Sequence, residues 1–235
     1  MQGPTTDKTE KLFDSIAPTY DTLNHLLSLG IDRGWRCKSL RWVVDRHRPQ
    51  QILDIACGTG DYAIAIARHA HPQTKVHGLD LTEAMLQVMR RKVERLRLSH
   101  CITAEQGNAE HLPFATASFD CATIAFGIRN FEHREQALCE ILRVLRPGGR
   151  LVILELSTPT IPIVRGCYRF YFTKLLPLIG GWISGSRYAY RYLPASVLAF
   201  PEKSEWMKVM LSCGYRNVSH RAFTLGICRM YIGEK

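Results

Sequence analysis

The chain has 235 residues, of which 46% are hydrophobic and 22% charged. That is enough for one α/β domain with a full core, and unlike the apolar-poor composition of a disordered chain. A net charge of +10 points to an anionic partner, nucleic acid or a membrane surface, without choosing between them. The 8 cysteines are scattered singly with no C-x-x-C pair. This argues against a disulfide framework and for reduced, mostly buried thiols in a cytosolic protein.

In chain order, Asp7 and Glu10 stand near the start with no apolar or Arg-rich amphipathic stretch, so no leader is expected and a cytoplasmic location is. No apolar run approaches the roughly 20 residues of a membrane span. Leu12, Phe13 and Ile16, then Leu23, Leu26 and Leu27, recur at near-helical spacing broken at Pro18; two short helices are expected. Asp32 reads as the N-cap of a third, carrying Trp35, Leu40, Trp42 and Val43 before Pro49. Residues 1–48 thus form a helical cap that either packs on the sheet edge or closes over a ligand.

The run Ile52-Leu53-Asp54-Ile55-Ala56-Cys57-Gly58-Thr59-Gly60-Asp61 is an apolar strand, a tight turn of small residues and a helix start. Gly58 and Gly60 accept positive φ and keep side chains away from the N–H groups that meet a ligand there. Two ligands fit. Gly58, Gly60 and Ala63 satisfy the dinucleotide spacing G-x-G-x-x-A, with Asp80 about 20 residues on as a ribose-binding acid. Read from Asp54, the loop favours S-adenosylmethionine (SAM), whose cationic methionine end asks for carboxylate partners where a pyrophosphate asks for bare N–H donors.

Further strands are expected at Lys75 to Asp80, Cys101 to Gln106, Ser118 to Phe126 and Arg150 to Leu156, alternating with a helix N-capped by Thr82 and one over Arg134 to Leu145. This alternation predicts a doubly wound, mostly parallel sheet. Asn108 follows the third strand, where an amide can both donate to and accept from an adenine edge. A helix over Glu202 to Cys213 and a hairpin of Val218 to Ala222 with Thr224 to Ile232 end the chain. His69 and His71 form the only close histidine pair and lack further ligands nearby, so no metal site is expected.

The turn Leu145-Arg146-Pro147-Gly148-Gly149 before a strand resembles that of small-molecule SAM methyltransferases. Phe13-x-x-Ile16-Ala17-x-x-Tyr20-Asp21, the loop from Asp54 to Asp61, Asn108-Ala109-Glu110-x-Leu112-Pro113-Phe114 and Phe126-Gly127-Ile128-Arg129-Asn130 are together similar to the MenG/UbiE family, the C-methyltransferases of menaquinone and ubiquinone biosynthesis. The resemblance implies a single class I SAM methyltransferase (Rossmann-like) domain, its seven-stranded sheet closed by a reversed last strand. It also implies methylation of the ring carbon of a demethylmenaquinol, or of the equivalent ubiquinone precursor. By position, Thr59, Asp80, Asn108 and Ala109 would contact SAM, beside Asp54, Gly58 and Gly60 of the loop. Ala125 stands where the family often has Ser or Thr. The pair Ala56-Cys57 is nearer to the menaquinone branch.

Methylating a quinol carbon requires a stabilised phenolate. Arg129 is the candidate for that charge, with a salt bridge to a neighbouring acid as its structural alternative. Tyr20, His133 and Asp21 are candidate bases. From Leu156 to Pro201 there is no acidic residue, and Arg165, Arg169 and Lys174 interleave with Tyr168, Phe170, Phe172 and Trp182. Residues 157–201 are therefore a basic, aromatic insertion expected to meet an anionic membrane and guide an isoprenoid tail, with a lid or a homodimer interface as the other readings. The strings that mark nucleic-acid methyltransferases, N-P-P-Y and Pro-Cys, do not occur, so no nucleic-acid partner is expected.

Overall fold

The computed structural model describes residues 3–17, 20–21, 28, 30–171, 173 and 187–235. The expected break at Pro18, the helix bearing Leu23 to Leu27, and Phe172, Lys174 and Trp182 of the insertion lie outside these residues.

Seven strands form one sheet: β1 (Gln51–Ile55), β2 (Lys75–Asp80), β3 (Ile102–Gln106), β4 (Phe119–Ala125), β5 (Leu145–Leu156), β6 (Arg216–Phe223) and β7 (Cys228–Glu234), in the order β3-β2-β1-β4-β5-β7-β6. The pairs β1–β2, β1–β4, β2–β3 and β4–β5 are parallel, and β7 runs antiparallel to both β5 and β6. This is the mostly parallel sheet with a reversed last strand. All four parallel pairs aim their carboxyl ends at one edge, where open α/β sheets bind ligands.

Because side chains alternate along a strand, β1 feeds two cores. Ile52 joins Trp35, Tyr62, Leu86 and Met89 on one face; Leu53 and Ile55 join Leu138, Ile141 and Trp206 on the other. The first face is covered by α2 (Ile31–Val43), α3 (Asp61–His69) and α4 (Glu83–Arg95), the second by α5 (Arg134–Val144) and α8 (Lys203–Ser212). A third cluster brings Leu12 and Ile16 of α1 (Thr6–Ile16) onto Met85, Tyr168 and Val197. Tyr168 and Val197 belong to α6 (Pro162–Phe170) and α7 (Arg187–Leu198). The amino-terminal helix and the insertion therefore pack together beside the strands' carboxyl ends.

Three local expectations change. Helix α2 begins at Ile31 behind Gly30 (φ +73), so Asp32 lies inside its first turn, where it accepts from Ser28 Oγ and pairs with Arg36. Thr82 does precede α4, but its side chain makes no capping bond; the Asp80 carboxylate takes the Thr82 N–H instead, at 2.9 Å. The Pro147-Gly148-Gly149 turn is a bulge within β5, which pairs Leu145 with Phe119 and then Arg150 with Cys121.

Candidate active site

A cleft opens at the carboxyl ends of β1 to β4, lined also by Thr6, Thr9 and Phe13 of α1. Its shape starts with the loop after β1. Ala56, Gly58 and Gly60 all take the left-handed conformation (φ 51, 54 and 84), turning the chain sharply into α3. A Cβ on Gly58 would enter open space, so the missing side chain leaves backbone available to a ligand. Gly58 N–H donates to Asp80 Oδ2 at 2.8 Å. Asp80 thus ties the glycine loop to the end of β2. Burial pushes the Asp80 carboxyl above its usual range, opposed by the N–H groups of Thr82 and Gly58.

Asn108 lies on the same wall, its Oδ1 accepting the Glu110 N–H at 2.8 Å. That bond is an Asx turn, which fixes the amide plane and leaves the Nδ2 donors to the cleft. Ala109 lines the cleft beside it.

A second compartment lies across the loop and is lined by Tyr20, Asp21, Arg36, Asp54 and Thr59. Asp54 accepts from Thr123 Oγ1 at 2.6 Å, but its Oδ2 is buried without a hydrogen-bond partner. Burial raises its pKa to about 7. An orphaned buried carboxylate oxygen is the feature a bound cation would satisfy. Thr59 donates to Asp21, and Lys92 joins Asp21 and Asp61 (2.8 Å to the latter), so the amino-terminal cap is fastened to the glycine loop. Tyr20 borders both compartments, with its ring edge-on to Phe13 at 6.0 Å.

At the end of β4 the chain bends through Phe126 (φ 63) into a short 3-10 turn, Ile128–Asn130. Arg129 points inward there: its Nη1 donates to Glu155 Oε1 at 2.7 Å and its backbone N–H to Oε2 at 3.2 Å. The side chains of Arg129 and Glu155 are 6% and 1% exposed. Burial pushes the Arg129 pKa down, but the charge and hydrogen bond of Glu155 together with Tyr20 and Tyr192 push it up, and the net shift is upward. The salt bridge posed as the alternative role for Arg129 is therefore present, and it is Asn130, not Arg129, that lines the cleft. Asn130 Oδ1 accepts from the Tyr192 hydroxyl at 2.8 Å. His133 sits exposed at the N-cap of α5, its N–H bonded to Glu110 Oε1 at 2.9 Å, away from the cleft lining. No group of three or more His, Cys, Asp and Glu with metal-binding geometry occurs among the described residues.

Sequence reasoning missed Arg36, Glu155, Asn130 and Tyr192. Arg36 could have been found from its place on an amphipathic helix beside the loop; the other three meet only through the sheet.

A model of the ubiE/COQ5 methyltransferase family matches residues 1–235. The chain belongs to that family. It is a SAM-dependent methyltransferase. It is 47% identical over 236 residues to the ubiquinone/menaquinone biosynthesis C-methyltransferase UbiE of Geobacter sulfurreducens, covering 98% of this chain and 90% of that one. It is 46% identical to a demethylmenaquinone methyltransferase of Deinococcus radiodurans, covering 96% and 92%. The solved structure of a possible histamine N-methyltransferase from Thermotoga maritima superposes with a TM-score of 0.66 at 17% identity, covering 96% of this chain and 99% of that one; that likeness shows the shared fold.

Proposed function

We propose that this chain methylates the ring carbon of demethylmenaquinol, the reaction named for its Deinococcus relative. The observation that carries the reading is family membership across the whole chain; a cleft at the carboxyl ends of β1 to β4 supports it.

Bound SAM supplies a methyl group already activated on a sulfonium. In the first compartment Asp80 accepts the ribose hydroxyls and Asn108 with the Ala109 N–H meets the adenine edge. In the second, Asp54 Oδ2 and Arg36, oppositely charged and facing one space, hold the ammonium and the carboxylate of the methionine end. Thr59 and the glycine loop fix where that end lies. The ring carbon of a quinol is nucleophilic when the adjacent hydroxyl is ionised, so the acceptor side must favour a phenolate. Asn130, its amide oriented by Tyr192, offers Nδ2 donors to a quinol oxygen. Arg129, neutralised by Glu155, acts from behind as an oriented dipole. Tyr20, at the junction of the compartments, is the candidate proton relay.

The acceptor's isoprenoid tail calls for a lipid surface. Ile161, Ile163 and Phe170, at 46, 81 and 59% exposed, lie on and beside α6 with Arg165 and Arg169, while Tyr168 of the same helix faces the core. This is an apolar ridge with two cations on one side of the same helix, suited to lying in an anionic interface. No described helix is long and apolar enough to cross a membrane.

Labelled SAM, offered with liposomes containing reduced demethylmenaquinone or a demethylated ubiquinol precursor, tests the proposal. Label in the menaquinol supports it; label only in the ubiquinol precursor moves the protein to the other branch. Flotation with anionic liposomes that Ile163→Asp abolishes supports the membrane ridge, whereas a dimer in sedimentation that the same change dissociates would assign the ridge to self-association.

A further inference from the structure

Outside the cleft, two thiols meet on one helical turn. Cys139 is exposed on α5, and Cys213, half-buried, closes α8. Helical side chains lean toward the amino terminus, so the Cys139 thiol overlies the turn that starts four residues earlier, at Glu135. The Cys213 sulfur lies on that same turn, 3.8 Å from the Glu135 carbonyl oxygen. The approach depends on Gly214, where a Cβ would come within 3.0 Å of Leu142 Cδ2, one turn beyond Cys139. Burial first, and then the neighbouring Cys139 thiol, push the Cys213 thiol up to about 12; Cys139, the exposed one of the two, meets solvent oxidants first.

We propose that Cys139 and Cys213 are a site of reversible disulfide formation, oxidised by hydroperoxides and reduced by small thiols, that ties α5 to α8. The Cys139 sulfur takes one oxygen of hydrogen peroxide as the O–O bond breaks, leaving a sulfenic acid and one water. The Cys213 sulfur then attacks the Cys139 sulfur; the S–S bond forms, the S–O bond breaks, and hydroxide departs with the Cys213 proton as a second water. Two thiols lose two electrons and two protons, and one peroxide becomes two waters. Helix α5 follows directly on the turn holding Asn130, so the bond braces the scaffold behind the acceptor side without entering the cleft. It also spares Cys139 from irreversible oxidation.

Peptide mapping of the native protein after hydrogen peroxide tests the site, with Cys37, exposed on α2, as the internal comparison. The expected result is a linked Cys139–Cys213 peptide that dithiothreitol reverses and Cys139→Ser abolishes. The oxidised protein should also melt higher by roughly 3–10 °C, as cross-linking a long loop implies. The proposal is overturned if Cys139 accumulates as sulfinic acid or pairs with Cys139 of a second chain. It is equally overturned if Cys37 is oxidised while the 139–213 peptides stay unlinked.

Discussion

On the side of the cleft proposed to hold the methyl donor, Asp54, Gly58, Asp80 and Asn108 sit at or just past strand carboxyl ends; Gly58, Asp80 and Asn108 bond to a near neighbour or to the loop, and Asp54 alone reaches across the sheet, to Thr123. On the proposed acceptor side, Arg129 and Asn130 come from the turn after β4, Glu155 from β5 and Tyr192 from α7, and the Arg129–Glu155 and Tyr192–Asn130 contacts span 26 and 62 residues of sequence. In the proposed reading the donor side would bind through backbone geometry and single carboxylates. The acceptor side is a buried ion pair with an oriented amide in front of it. Local machinery can be damaged one contact at a time; a buried pair fails as a unit.

Glu155→Ala should therefore cause the largest loss. Removing one partner leaves the Arg129 charge buried, which costs about 3–5 kcal/mol and shows as a lowered urea midpoint with an unchanged slope. Replacing both, as Arg129→Met with Glu155→Leu, should restore most of the stability and none of the turnover. Recovery of turnover in the double variant would reduce the pair to scaffolding. The milder Arg129→Lys keeps a charge and loses the fork. Its expected signature is a lower kcat with SAM affinity intact, and a defect confined to SAM affinity would remove Arg129 from the acceptor side.

Asp80→Ala comes next. It removes the acceptor for Gly58 and Thr82 N–H as well as the ribose contact, and SAM affinity by calorimetry should fall roughly ten- to a hundredfold. Unchanged affinity would refute the ribose assignment.

Asp54 gives a pH-dependent test of the same side. Its pKa is about 7 in the fold, against about 3.9 unfolded. Between these values the folded protein holds a proton that the unfolded chain has lost, so the contribution of Asp54 to stability is greatest at acid pH and declines as pH rises from about 4 to 7. Asp54→Asn should flatten that part of the stability profile. A bound ammonium favours the carboxylate, so SAM binding near pH 6.5 should release a proton, seen as a dependence of binding heat on buffer ionisation enthalpy. The Asn variant should not show it.

These differences explain what was legible in the sequence. The strand–turn–helix grammar, the glycine loop and Asp80 follow from local spacing, because parallel strands place their carboxyl ends together whatever the rest of the chain does. Asp32 misled because an N-cap acid and a first-turn acid look alike when a glycine precedes them. Arg129 was found by its motif, but its orientation was not. Nothing near it in sequence says that Glu155, deep in an apolar strand, would turn it inward, since that depends on the β4–β5 register pairing Ala125 with Leu154.

The two sides also meet at Ala56 and Gly127, a contact that carries the smallest effect and the sharpest comparison. Ala56 belongs to the donor loop and holds φ 51, a conformation costing a non-glycine residue about 1 kcal/mol. Its methyl faces Gly127 at the end of β4, where an added Cβ would come within 2.6 Å. Ala56→Gly relieves the backbone but loosens the unfolded chain, so its net change should stay within about 1 kcal/mol. Gly127→Ala alone should cost about 1–3 kcal/mol by overpacking. In the Ala56→Gly background that cost should largely vanish, because the methyl it strikes is gone. A double-mutant cycle measures the coupling. If the two changes prove additive, the turn after β4 does not bear on the glycine loop through this contact.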